Sequence, residues 1–339
     1  MSADPARLDL LRHLAAELGL PAAVTHPGLV VPTLAGYLPT VLAATPETTH
    51  RTYRGYWQRA AAFFPTQRLD ELTTTDLLAF RQHVITTARS RRTTRGGRYA
   101  GVTALRALRL LYRLAVADHL IAPDHDPAAA APLPRRLPSP RQGLTAAELA
   151  EVTQVVMTTG TDPALDALLL RLHLETACRR GGALGLRLVD LDTQYCRAHL
   201  HEKGDIWRWQ PVSPLLAHAL RDHALARGAR TPQDAVLRYR DHHPLTGRRY
   251  DAMWARVRDR LPWAGQRNLS AHWLRHTTLT WVERQFGYAI ARAYAGHTDV
   301  KGGSTLTYVQ GLPGEVALAL QVYTGQPHPL ALPLPTHTA

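Results

Sequence analysis

The chain is nearly without lysine. Of its 40 Lys and Arg residues only two, Lys203 and Lys301, are lysines. Arginine cannot give up a proton at usable pH and lysine can, so a site that needs a cationic general acid has two positions to draw on. Cysteine is equally scarce. Cys178 and Cys196 stand outside C-x-x-C spacing and inside periodic apolar segments, so they read as small buried hydrophobes in a reducing compartment. No apolar run approaches membrane-spanning length, and Met1 to Leu20 lacks the basic-then-apolar order of a signal peptide. A cytoplasmic protein with no membrane partner is expected.

What is abundant is positive charge. Lys+Arg 40 against Asp+Glu 27 gives a formal charge of +13, the balance of a protein with a polyanionic partner, and nucleic acid is the default. A membrane surface would call for a basic amphipathic helix or a lipidation site, and neither is evident. With 339 residues, 45% hydrophobic and 20% charged, the chain can bury two cores of ordinary size.

The organisation is mainly α with a small antiparallel β-sheet. Residues 1–28 read as an N-terminal extension helix, "RLDLLRHLAAELGL". Residues 29–122 carry apolar stripes at i, i+3, i+4 in four successive segments and form a helical domain. Its arginines point to a nucleic-acid surface: Arg51, Arg54, Arg106 and Arg109 on helix faces, Arg91, Arg92, Arg95 and Arg98 in and beside the loop "RSRRTTRGGRYAG". Residues 123–143, "APDHDPAAAAPLPRRLPSPRQG" less its first residue, are too rich in proline to continue a helix and read as a semi-rigid linker. A second domain, 144–312, opens with the capping box of Thr145 and Glu148. It continues through a helix ending near Gly181 and a hairpin around "KGD". Helices follow, with Ser213 capping the first, and "SAHWLRHTTLTWVERQF" and "GYAIARAYAGH" reading as two successive helices. Residues 313–339 form a short helix and tail whose Val316, Leu318, Leu320 and Val322 leave an apolar surface.

The densest chemistry lies in "SAHWLRHTT", residues 270–278. His272 and His276, four apart, have the spacing of a helical zinc pair, but Trp273 stands where the general base of an H-E-x-x-H enzyme would be, and no metal is expected. His272 and Arg275, three apart, would instead offer an imidazole and a guanidinium to one anion, such as a phosphate. Taken alone, the stretch reads first as a basic surface turn with a satisfied histidine.

Five boxes in order resolve the choice. "TACRRGGALGLRLVDLD", "HEKGDIWRWQPVS", "HWLRH", "AGHT" and "STLTYVQ" together resemble the tyrosine site-specific recombinases, the phage integrase family, with the likeness running from about Pro32 to Tyr323. The resemblance implies a helical core-binding domain and a catalytic domain that close as a C-shaped clamp on double-stranded DNA, working as a homotetramer in the synapse. It also implies that the C-terminal helix of residues 313–339 docks on the catalytic domain of the neighbouring protomer. It places the catalytic set on Arg179, Lys203, His272, Arg275, His297 and Tyr308. Counting back from Leu186 and Arg187 puts the first arginine at Arg179, with neighbouring Arg180 as the alternative; Lys301 is the alternative acid to Lys203. In that scheme Tyr308 attacks a phosphodiester, His272 takes its proton, Lys203 protonates the leaving oxygen, and the arginines and His297 hold the phosphate. Arginines supply the charge a metal would, and the phosphotyrosyl bond stores the energy of the bond broken, so neither metal nor ATP is implied.

One departure stands out. The family commonly has an acid three places after the first arginine, and here that place is Gly182. A catalytically decayed DNA-binding protein on the same scaffold is therefore one alternative; a type IB topoisomerase or telomere resolvase with the same active site is another.

Overall fold

The computed structural model describes residues 30–88, 97–134, 143–202, 204–296 and 311–333. The chain divides into two compact units, Met1–Leu137 and Pro138–Ala339. The architecture is mainly helical with one three-stranded antiparallel sheet, as the sequence implies.

In the first unit four helices, α1 (Leu34–Ala43), α2 (Glu47–Phe63), α3 (Thr74–Thr86) and α4 (Arg98–Ala117), enclose a core of Leu34, Val41, Trp57, Leu77, Phe80, Leu105, Leu108 and Tyr112. The polar tips of the fully buried rings of Trp57 and Tyr112 find partners. Trp57 Nε1 donates to Ala107 O at 2.8 Å, and Tyr112 Oη to Leu69 O at 3.2 Å. Helix α3 starts on a capping box in which Thr73 and Asp76 satisfy each other's amides.

The expected linker does not begin at residue 123. A 3-10 turn, Pro123–His125, and a helical turn, α5 (Pro127–Ala130), fold back on the first unit, with Ala128 and Ala131 fully buried in its core. The cause is Arg109. Expected on the DNA-binding face, its guanidinium is turned to backbone carbonyls, donating to Ala128 O at 3.0 Å and Ala131 O at 2.6 Å. Cations suit such orphan carbonyls at a helix end, and proline-rich sequence does not preclude a single turn when Asp126 caps it.

The second unit begins with α6 (Ala146–Thr158), capped as expected by Thr145 and Glu148, followed by α7 (Pro163–Thr176) and the short α8 (Arg180–Leu184). Strands β1 (Leu191–Asp192), β2 (Arg197–Glu202) and β3 (Ile206–Pro211) pair in that order, with Leu200 opposite Arg208 and Ala198 opposite Gln210. Helices α9 (Pro214–Ala226), α10 (Gly247–Arg260), α11 (Pro262–Arg267), α12 (Ala271–Ala295) and α13 (Pro313–Thr324) complete the described part. Helix α12 breaks at Gly287, whose φ of 84° is open to glycine at little cost; this is the join between "QF" and "GY".

The C-terminal segment corrects the reading of it as a helix free to dock on a neighbouring protomer. Helix α13 lies on its own unit: Val316, Ala319 and Leu320 are buried with Ala177, Val282, Ala291 and Tyr294. Beyond it, buried His328 hydrogen-bonds through Nε2 to Cys196 O at 2.9 Å. Val322 stays outside, 48% exposed. Leu320→Ala is therefore expected to cost about 2–5 kcal/mol in urea unfolding of the isolated protein, and Val322→Ala within about 0.5 kcal/mol. Equal, negligible effects would mean that the helix is not part of this core.

Candidate active site

The site starts where α7 ends. Ala177 closes the helix in the left-handed region, φ 49°, an uncommon conformation for a residue with a Cβ, and the chain then turns extended through Arg179 into α8. The turn delivers Arg179 to Glu202, the last residue of β2. The Arg179 amide donates to Glu202 Oε1 at 2.9 Å, and its Nη1 forms a close ion pair with Oε2. Arg180 faces elsewhere, paired with Asp251 at 3.3 Å and half exposed. Of the two neighbouring arginines it is Arg179 that enters the cluster.

Alternation along the hairpin explains how Glu202 comes to be inside. On β2 the outward positions are Arg197, His199 and His201, while Ala198, Leu200 and Glu202 are buried. His199 and His201 stack on exposed Trp209 and Trp207 of β3, with ring centroids 4.6 and 4.2 Å apart. The other face of β3 contributes Arg208, which donates to Thr176 O at 3.1 Å and Tyr294 O at 2.9 Å and lies 3.6 Å from Glu202.

Arg275, four residues beyond the start of α12, is 4% exposed. Its two terminal nitrogens donate to Ala177 O and, at 2.8 Å, to Ala295 O, and it approaches Glu202 at 3.8 Å. The acceptors of Arg208 and Arg275 are thus the last carbonyls of α7 and α12. Helix C-termini carry partial negative charge, and two of them converge on these cations.

Three guanidiniums, Arg179, Arg208 and Arg275, share one carboxylate whose side chain is fully buried. Burial alone would raise the Glu202 carboxyl, but Arg208, the Arg179 amide, Arg275 and Arg179 outweigh it and hold it below the ordinary glutamate range. Burial and then the Arg179 charge push Arg275 down to about 10, still cationic at neutral pH. Positive charge is in surplus. A surplus in a poorly solvated place is relieved by an anion, and Arg forks match the paired oxygens of a phosphate.

His272 is exposed one residue into α12, its ring edge-on to His276 at 4.8 Å between centroids. With Arg179, Arg180, Tyr250, Trp254 and Ser270 it lines a cleft of about 670 Å³. Arg179, His272 and Arg275 are thus brought together. Among the described residues no group of three or more His, Cys, Asp or Glu is placed to hold a metal ion. Lys203, His297 and Tyr308, and Arg91, Arg92 and Arg95, lie outside the described residues. Arg51, Arg54, Arg98 and Arg106 are exposed on the first unit. Glu202 and Arg208 escaped the sequence reading; the signal was polar residues at core-facing positions of a strand.

The phage integrase family model matches residues 142–311, half of the chain. The chain belongs to the phage integrase family. It is a tyrosine recombinase, one of a class of enzymes that cleave and rejoin DNA. No curated protein sequence matches it. Its fold is similar to that of a lambda integrase tetramer bound to a Holliday junction, TM-score 0.60 at 17% identity, over 90% of this chain and 91% of that one. It is similar also to the Tn1549 transposon integrase in complex with circular intermediate DNA, TM-score 0.59 at 15% identity, over 84% and 98% of the two chains. The XerH site-specific recombinase bound to its difH substrate gives 0.57 at 17% identity, over 79% of each. The acid that this family commonly carries three places after its first arginine is missing at Gly182, and Glu202 occupies that space from the strand.

A tyrosine recombinase built this way should bind free phosphate at the cluster. Orthophosphate at ten times its Kd, against chloride at equal ionic strength, should stabilise the protein by about 1.4 kcal/mol. Arg275→Met should lose that shift; an equal shift in both proteins would place the anion elsewhere.

Proposed function

We propose that this recombinase binds duplex DNA and exchanges strands at specific sites through a 3′-phosphotyrosyl intermediate on Tyr308. The observation that carries the proposal is the cationic cluster: Arg179, Arg208 and Arg275 around Glu202, with His272 in the adjoining cleft. A phosphodiester under attack becomes a dianionic pentacoordinate species, and fixed guanidiniums stabilise that charge without reorganising. Arg179 and Arg275 are assigned to its non-bridging oxygens. His272 accepts the phenolic proton of Tyr308, whose oxygen bonds to phosphorus as the 5′ oxygen leaves. Lys203 delivers the proton to that oxygen, and His297 adds a donor to the phosphate. Rejoining runs the same steps backwards, so the covalent bond, not ATP, carries the energy forward.

Arg51, Arg54, Arg98 and Arg106, with the loop arginines Arg91, Arg92 and Arg95, are assigned to the DNA backbone, where contacts hold position without reading sequence. By analogy with the lambda integrase tetramer on a Holliday junction, four copies would act together on two duplexes.

A nicked suicide duplex, whose cleaved end diffuses away, traps the intermediate. Wild-type protein should form an adduct stable in a denaturing gel, and Tyr308→Phe should bind the duplex equally and form none. An adduct surviving in that variant moves the nucleophile to another residue.

The acid has its own test. Lys203→Arg keeps the charge but not the available proton, and should slow cleavage by about 10²–10⁴-fold. A 5′-bridging phosphorothiolate, whose sulfur leaves unprotonated, should restore the rate. Failure of that rescue would remove Lys203 from the role and turn attention to Lys301.

A further inference from the structure

We infer that Glu202 is the positioning residue of the phosphate-binding arginines, the single buried carboxylate that aims Arg179 and Arg275, and that Gly182 is the space it needs. The inference rests on the recombinase reading above.

Four contacts converge on this carboxylate. Oε1 accepts the Arg179 amide at 2.9 Å and lies 3.6 Å from Arg208 and 3.8 Å from Arg275, while Oε2 takes the close ion pair with Arg179 Nη1. Its side chain has no exposure at all, whereas that of Arg179 is 33% exposed. Glu202 therefore cannot touch a phosphate that the arginines reach, and any effect it has on chemistry passes through them. Three guanidiniums this close repel one another. Arg208 and Arg275 are also held by helix-end carbonyls, whereas Arg179 is held by Glu202. Without that counter-ion Arg179 would swing toward solvent, and the other two would lose the charge that offsets their repulsion. One carboxylate is enough to bind them into a fixed array and too little to neutralise them. The array keeps its pull on an anion.

Gly182 belongs to the same device. It is buried two residues into α8, and a Cβ there would meet Glu202 Cγ at 3.3 Å and His201 O at 3.4 Å. The first contact is tighter than a Cβ normally makes, and the second, at the edge of ordinary van der Waals contact, is to backbone that belongs to the paired strand. A side chain at position 182 would press on the Glu202 methylenes, which would have to give by a few tenths of an ångström. Size at position 182 and length at position 202 are coupled.

The test reads cleavage and binding separately on the full chain with the suicide duplex. Glu202→Gln keeps the shape and removes the charge. The cleavage rate should fall by about 10–100-fold, as small displacements of positioned groups do. Duplex affinity should stay the same or tighten, because a negative charge near the phosphate is gone; a merely structural loss would weaken both together. Gly182→Ala should slow cleavage by crowding Glu202, and the double variant Gly182→Ala/Glu202→Asp, one methylene shorter, should recover part of the loss. Should Glu202→Gln fail to fold, this size exchange carries the test. If wild-type protein forms the adduct and Glu202→Gln matches its rate, or if the double variant is no faster than Gly182→Ala alone, the positioning role is wrong and the recombinase reading stands. Absence of any adduct from wild-type protein overturns both.

Discussion

Holding like charges close together is the constraint on which the second unit turns. At an effective dielectric near 20, two unit charges 4 Å apart repel by about 4 kcal/mol, so Arg179, Arg208 and Arg275 would not gather unaided. The fold answers with negative potential from several directions. Glu202 comes from the end of β2, Thr176 O and Ala177 O from the end of α7, and Tyr294 O and Ala295 O from the end of α12. Each element must stop at the right residue for its carbonyls to be unpaired there. This gives a physical reason for the left-handed Ala177 and for Gly296, φ 65°, at the end of α12.

Packing serves the same end. Tyr294 is fully buried in the cluster that includes Ala177, Val282 and Leu320, and its hydroxyl donates to Glu175 O in the last turn of α7. The two helix ends that hold the arginines are thus tied to each other and covered by α13. Loss of α13 would expose this cluster and loosen the carbonyls behind Arg208 and Arg275, which is why a segment distant in sequence from the boxes bears on them. Glu175, buried in its turn, accepts from Arg171 and Ser213 and anchors the start of α9 to the same helix end.

Much of this was legible in the sequence where the signal is local. The capping box at Thr145, the hairpin turn at residues 204–205 and the break at Gly287 each depend on a few adjacent residues with one good conformation. The His272 and Arg275 pair was legible because helical spacing alone puts them on one face. Glu202 was not, since its inward position follows from strand register, which a single strand's sequence does not specify. Arg109 was misplaced because a helical stripe shows which face a side chain leaves from, not which carbonyls, 19 and 22 residues on, will take its head. Helix α13 was misplaced for a related reason: an apolar stripe requires a partner surface and does not say whose.

The arrangement also separates holding charge from moving protons. Glu202 has a folded-state pKa below its ordinary value, so the stability it contributes is present in full above the ordinary glutamate range and is lost only as pH falls through the lower, folded value. Arg275, though pushed down to about 10, keeps its charge through neutrality. Between mildly acidic and mildly basic pH Glu202 and Arg275 both keep their charges. In the proposed scheme the groups that exchange a proton with DNA or tyrosine are His272 and Lys203. A chain whose cations are almost all arginine is suited to the first task, and in that scheme Lys203 takes the second.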